Sequence, residues 1–91
     1  MTIAMLVMVG GCESLPVQEM SDARQAIMAA REAGAEEHAG QQLIAAETSL
    51  RNAEQSLGAK SYSVAQREAM QAKSLAIEAL RISEAASGEE N

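Results

Sequence analysis

SYSVAQREAMQAKSLAIEALRISEAAS, residues 61–87, decides the fold. Tyr62, Ala65, Ala69, Ala72, Ala76, Ala79, Ser83 and Ala86 recur in it at steps of three and four, which is one face of an α-helix. The spacing predicts a helix over 61–86, roughly 38 Å long at 1.5 Å per residue. Ser63-Val64-Ala65-Gln66 has the form of a capping box, and Ser61 is an equally placed cap. Ser87-Gly88 closes the series, and the tail 88–91 reads as disordered. A stripe built almost wholly of alanine buries little area but lets helix axes approach closely. Leu75, Ile77, Leu80 and Ile82 widen the apolar surface beyond a single seam. They either complete a helical core or form a second surface for contact with another protein.

The same rhythm occurs twice upstream. Met20, Ala23, Ile27, Ala30 and Gly34 set out a first helix over Val17–Ala33. Pro16 has the fixed φ of a first helical position, Glu19 and Asp22 lie near the positive end of the dipole, and Arg31 lies near the negative end. Gly34 is placed to stop the helix in the left-handed conformation. Ala39, Leu43, Ala46, Leu50, Ala53 and Leu57 set out a second helix over Glu37–Leu57, ended by Gly58. Short loops make successive helices antiparallel neighbours. The expected fold is therefore all-α: an up-down-up three-helix antiparallel bundle, or a coiled-coil-like hairpin with alanine-rich seams, over 17–87. So strict a seam also suits pairing between two chains, so a homodimer stays open.

Ahead of the helices stands LVMVGGCESLP, with the only cysteine of the chain behind its most apolar run. Ile3 to Val9 falls far short of the ~20 apolar residues of a membrane-spanning helix and fits the apolar region of a cleaved secretory signal. Val9-Gly10-Gly11-Cys12 resembles the lipobox of bacterial lipoproteins, in which an aliphatic and two small residues precede a cysteine that is lipidated and becomes the new N-terminus. This predicts a signal peptide over 1–11, a covalent lipid on Cys12 and a short tether over 12–16. The Lys or Arg usual ahead of the apolar run is missing, which makes the signal atypical or puts the start upstream of Met1. Two or more acyl chains anchor stably where one does not, so the lipid alone holds such a protein to the membrane. Glu13, in place of the Asp that retains enteric lipoproteins in the inner membrane, favours the periplasmic side of the outer membrane.

Composition narrows the remaining choices. There is no Trp or Phe and a single Tyr, while nineteen residues are alanine, so a bulky core is excluded. A formal charge of −6 argues against nucleic acid, which requires clustered Lys and Arg. The same acidity disfavours adhesion to an anionic leaflet through a basic helix face. One cysteine allows no internal disulfide.

From Pro16 to about Ala86 the chain resembles small bacterial lipoproteins that carry the domain of unknown function 4398. The likeness lies in the proline soon after the lipobox, Ala23, Ala26-Ile27 and Ala30, then Ala33-Gly34-Ala35. A second block of Leu43, Ala46, Leu50 and Ala53 follows, then Tyr62 with the alanine series after it. Members typically show Tyr-Ala-Pro after the Ala-Gly-Ala turn, where this chain has His38-Ala39-Gly40. That exchange removes an aromatic anchor and a rigid helix start, so a looser first turn of helix two is expected. The resemblance implies an envelope lipoprotein and no particular activity.

Chemistry-bearing residues are sparse. His38 is the only histidine, and Cys12, committed to lipid, leaves it no thiol to activate. Glu36-Glu37-His38 are consecutive, so on a helix they diverge, whereas a closed metal site needs three or four convergent ligands. The glutamates fall mostly off the stripes and read as solvated faces, with pairs such as Glu47 and Arg51. Tyr62, on the stripe, reads as packing at one end of the bundle. The expectation is a non-catalytic, lipid-tethered structural or protein-interaction module with a protein partner in the envelope, no catalytic residue, and no cofactor or metal. The alternative is an accessory or holdase factor that presents Leu75, Ile77, Leu80 and Ile82 to a client. An enzyme or metal protein using His38 is the least favoured reading.

Overall fold

The computed structural model describes residues 15–89. The expectations for the signal peptide over 1–11, for Val9, Gly10, Gly11 and Cys12, and for the last residues 90–91 lie outside the described residues. Those described are all-helical, in the order α1 (Val17–Glu32), α2 (Ala35–His38), α3 (Gly40–Gly58) and α4 (Tyr62–Glu89).

α1 begins at Val17, as the spacing predicts, and ends at Glu32, one residue short of the predicted Ala33. Pro16 flanks the helix, its carbonyl accepts from the Met20 N–H at 3.1 Å, and its ring is fully buried. Other element ends differ from expectation. The second helix does not start at Glu37. A one-turn α2 comes first, Ala39 breaks it with φ −146° and ψ 46°, and α3 starts at Gly40. The extra turn carries Ala35 and Ala39 into the core, where both are buried, and lets one connection cap the bundle end on its way from α1 to α3. Among the described residues the helices therefore number four, not three. Gly34 does stop α1 in the left-handed region, at φ 92° and ψ 26°, and its carbonyl accepts from the N–H groups of both Glu37 and His38 at 3.0 Å.

Gly58 does not make the second reversal. It stays helical, and the positive φ falls two residues later, on Lys60 at φ 64°. The Lys60 N–H donates to Leu57 O at 2.9 Å and the Ser61 N–H to Ser56 O at 2.8 Å, the paired bonds of a Schellman turn. A side chain in that conformation costs roughly 1–2 kcal/mol. Lys60→Gly is accordingly expected to stabilise the fold by about 0.5–1 kcal/mol after glycine's larger chain entropy is offset. Thermal unfolding followed by circular dichroism should show a midpoint rise of a few degrees, and a fall would mean that the Lys60 side chain makes a contact worth more than the strain.

α4 also departs from expectation at its ends. It starts at Tyr62, so Ser63 lies inside the first turn and Ser61 flanks it, with Ser61 O accepting from the Ala65 N–H at 2.9 Å. It runs through Gly88 to Glu89, past the predicted close at Ala86. Glycine in a final turn weakens a helix without obliging it to stop, so the part of the expected disordered tail that is described, Gly88 and Glu89, is helical.

Packing follows the alanine stripe. Ala65, Ala69, Ala72, Ala76, Ala79 and Ser83 of α4 are all completely buried, and α4 packs on both α1 and α3, which meet each other less. Ser83 satisfies its buried hydroxyl by donating to Ala79 O at 2.8 Å, one turn back. Among the described residues, and apart from Pro16, fourteen apolar residues are buried, of which eleven are alanine and the others Met20, Ile27 and Leu43. Met20, Ala53 and Ala69 cluster at one end, and Ile27, Ala30, Leu43, Ala46, Ala76 and Ala79 toward the other. Residue numbers thus rise together along α1 and α4 and fall along α3. Among the described residues no helix is long and apolar enough to cross a membrane.

Candidate functional site

Because α1 and α3 touch less closely than either touches α4, a groove stays open between them, of about 450 Å³. Ile27 and Leu50 line its floor, and Met28 stands in it half-exposed. Charged side chains bridge its rims. Arg24 meets Glu54 at 3.3 Å, and Arg31 meets Glu47. The expected pair of Glu47 with Arg51 on one helix does not form: Arg51 donates to the Thr48 hydroxyl at 3.4 Å, while Glu47 serves the neighbouring helix. An i,i+4 pair on α3 adds only a few tenths of a kcal/mol, so a guanidinium arriving from α1 readily takes the carboxylate. Partly exposed pairs of this kind contribute little to stability. Their effect is to fix the register of α1 against α3 and to set fork-shaped donors beside an apolar strip.

A second groove, of about 430 Å³, lies between α1 and α4. The Gln66 amide donates to the Glu19 carboxylate at 2.9 Å, and Lys73 meets Asp22 at 3.7 Å. Met70 and Ile77 stand exposed on its α4 side, at 54% and 42% of their full accessible surface. Both grooves combine convergent polar groups with exposed apolar side chains, which suits non-covalent recognition of another surface.

The four apolar residues read as either core or contact surface divide. Leu75, Leu80 and Ile82 pack, partly buried, against the core cluster around Ala76 and Ala79, and Ile77 alone faces outward. Tyr62 is half-buried at the start of α4. His38 ends α2 half-buried with its ring against Gly34, whereas Glu36 and Glu37 are exposed. Among the described residues no three His, Cys, Asp or Glu side chains gather as metal ligands.

Sequence reading missed Arg24, Met28, Arg31 and Glu54 as parts of one surface, because it assigned each charge to its own helix. A signal was present. Arg24 and Glu54 lie equally far before and after Ala39, and so do Arg31 and Glu47. Two opposite-charge pairs centred on one turn are the imprint of an antiparallel register. Residues 18–91 match the model of the family described as Domain of unknown function (DUF4398). No curated protein and no solved structure matches the chain.

Proposed function

We propose, from the premise that the chain belongs to the DUF4398 family, that it is a lipid-anchored envelope lipoprotein facing the periplasm, with its helices serving as a non-catalytic structural or protein-interaction module. In this reading residues 1–11 are a cleaved signal peptide and Cys12 carries the lipid. An up-down-up bundle follows at once, anchored on the periplasmic side of the outer membrane, and it takes a protein partner in the envelope, with no cofactor beyond the lipid and no nucleic acid.

The reading rests on Val9-Gly10-Gly11-Cys12, and the tether it implies is short. Pro16 is already fully buried against the helices, so only four residue steps separate Cys12 from packed structure. At ~3.3–3.6 Å per residue that is about 14 Å of reach. A lipid on Cys12 would hold the Met20, Ala53, Ala69 end of the bundle, with the Lys60 turn, against the headgroups. The two grooves would stay open to a partner beside the bundle. The accessory or holdase alternative fits less well, since three of the four residues it would present pack against the core.

Intact-mass analysis of fractionated host membranes tests the proposal. The wild type is expected to give a species that begins at Cys12 with added acyl mass in the outer-membrane fraction, and Cys12→Ala is expected to lose both the mass and the fractionation. A wild-type chain that keeps its first eleven residues and carries no lipid would remove the anchor and the envelope role together.

A further inference from the structure

We infer that the face formed by α1 and α4 is covered by a second copy of this chain, the two α4 helices running antiparallel across a two-fold axis that passes beside Lys73 and Ser74. Met70, Ser74, Ile77 and Arg81 follow one another on α4 at steps of four, three and four, so they form one outward stripe. Met70 and Ile77 are its two large apolar side chains, both substantially exposed. Setting Met70 of one copy opposite Ile77 of the other fixes the whole register, and that register is self-complementary. It brings Arg81 of each copy opposite Gln66 of the other, whose amide holds the Glu19 carboxylate at 2.9 Å. Arg81 is exposed and meets no carboxylate among the described residues, so each rim supplies the charge that the opposite rim requires. One patch that answers itself under a two-fold rotation is the signature of an isologous dimer.

The composition of the core points to the same occupant. Among the described residues, Pro16 apart, only Met20, Ile27 and Leu43 are buried apolar side chains larger than alanine, and a chain with one cysteine can form no internal disulfide. Small domains so built commonly gain stability by self-association. The dimer does not depend on lipidation of Cys12, and its test reads separately from the anchor.

The test is disulfide trapping of the chain in intact host cells, which samples it whether or not it is held to a membrane. Ser74→Cys sets two thiols beside the two-fold axis, and Lys73→Cys does the same from the next position. Mild oxidation is expected to give a band of twice the monomer mass that contains only this chain. The parent chain and Thr48→Cys, which puts its thiol on the far face of α3, should give at least tenfold less. Arg81→Glu should reduce trapping at Ser74→Cys severalfold, and adding Glu19→Arg should restore it. The inference is overturned if both cysteine variants keep wild-type helicity but stay monomeric, if Ser74→Cys crosslinks to a different protein, or if the charge exchange fails to rescue. Loss of the lipid with trapping intact would remove the anchor proposal and leave the dimer standing.

Discussion

Ala76→Leu is expected to lower the unfolding midpoint by roughly 10–20 °C, an unusually large effect for the gain of an apolar side chain. Ala76 is completely buried on the central helix and belongs to the cluster shared with Ile27, Leu43 and Ala46. α4 can lie close to both neighbours because every buried side chain it contributes is a methyl group or a serine hydroxymethyl. Extra methylenes in a packed core typically cost about 1–3 kcal/mol, and this site has neighbours on two sides, which puts the cost in the upper part of that range. For a domain of this size each kcal/mol moves the midpoint by about 4–8 °C. The same exchange at Ala85, exposed on the same helix, should stay within about 0.5 kcal/mol. Denaturation of both variants by circular dichroism checks the pair. Equal midpoints would mean that the α4 seam has slack and that close approach of alanines does not hold the fold together.

The second large effect runs the other way. Ile27→Ala should cost about 2–4 kcal/mol, the sum of lost transfer energy and the cavity left behind, whereas Ile44→Ala should change stability by less than about 0.5 kcal/mol. Ile27 is 4% exposed and Ile44 is 63% exposed, although both are isoleucines on amphipathic helices. Among the described residues Ile27 is, with Met20 and Leu43, one of three buried apolar side chains larger than alanine besides Pro16, and it also lines the floor of the α1–α3 groove. Its truncation removes a disproportionate share of the apolar burial, in a domain where a single core supplies only about 3–5 kcal/mol. Urea titration of both variants measures the difference. A small cost at Ile27 would show that the groove closes over the vacated space.

Much of the molecule is legible without coordinates. The recurrence at three and four residues picks out most of the buried set: Met20, Ala23, Ile27 and Ala30, then Ala39, Leu43, Ala46 and Ala53, then Ala65 to Ser83, while Leu50, Leu57, Tyr62 and Ala86 of the same stripes are only partly buried and the buried Ala35 and Ser49 lie off them. It works because the period of a helix and the side to be buried are both local properties of the chain. Element ends are less legible. Gly58 and Lys60 differ in preference for the left-handed region by only about 1–2 kcal/mol, and the two bonds of the Schellman turn at Ser56 and Leu57 outweigh that preference. Gly88 stays in its helix for a similar reason, since the penalty for glycine is smaller than one turn of hydrogen bonding.

The sequence by itself determined the all-helical class, the residues of the seam and, through Val9-Gly10-Gly11-Cys12, the expectation of a lipid anchor. Each of these depends on spacing within a few neighbouring positions. Tertiary structure alone decided which glutamate meets which arginine, why α2 exists, and which apolar side chains stay outside. Glu47 serves Arg31 rather than Arg51, Leu75 and Ile82 reach the core, and Ile77 does not. Those outcomes depend on the rotation and separation of helix axes, which are set jointly by every alanine in the contact and can be read from no single stretch of chain.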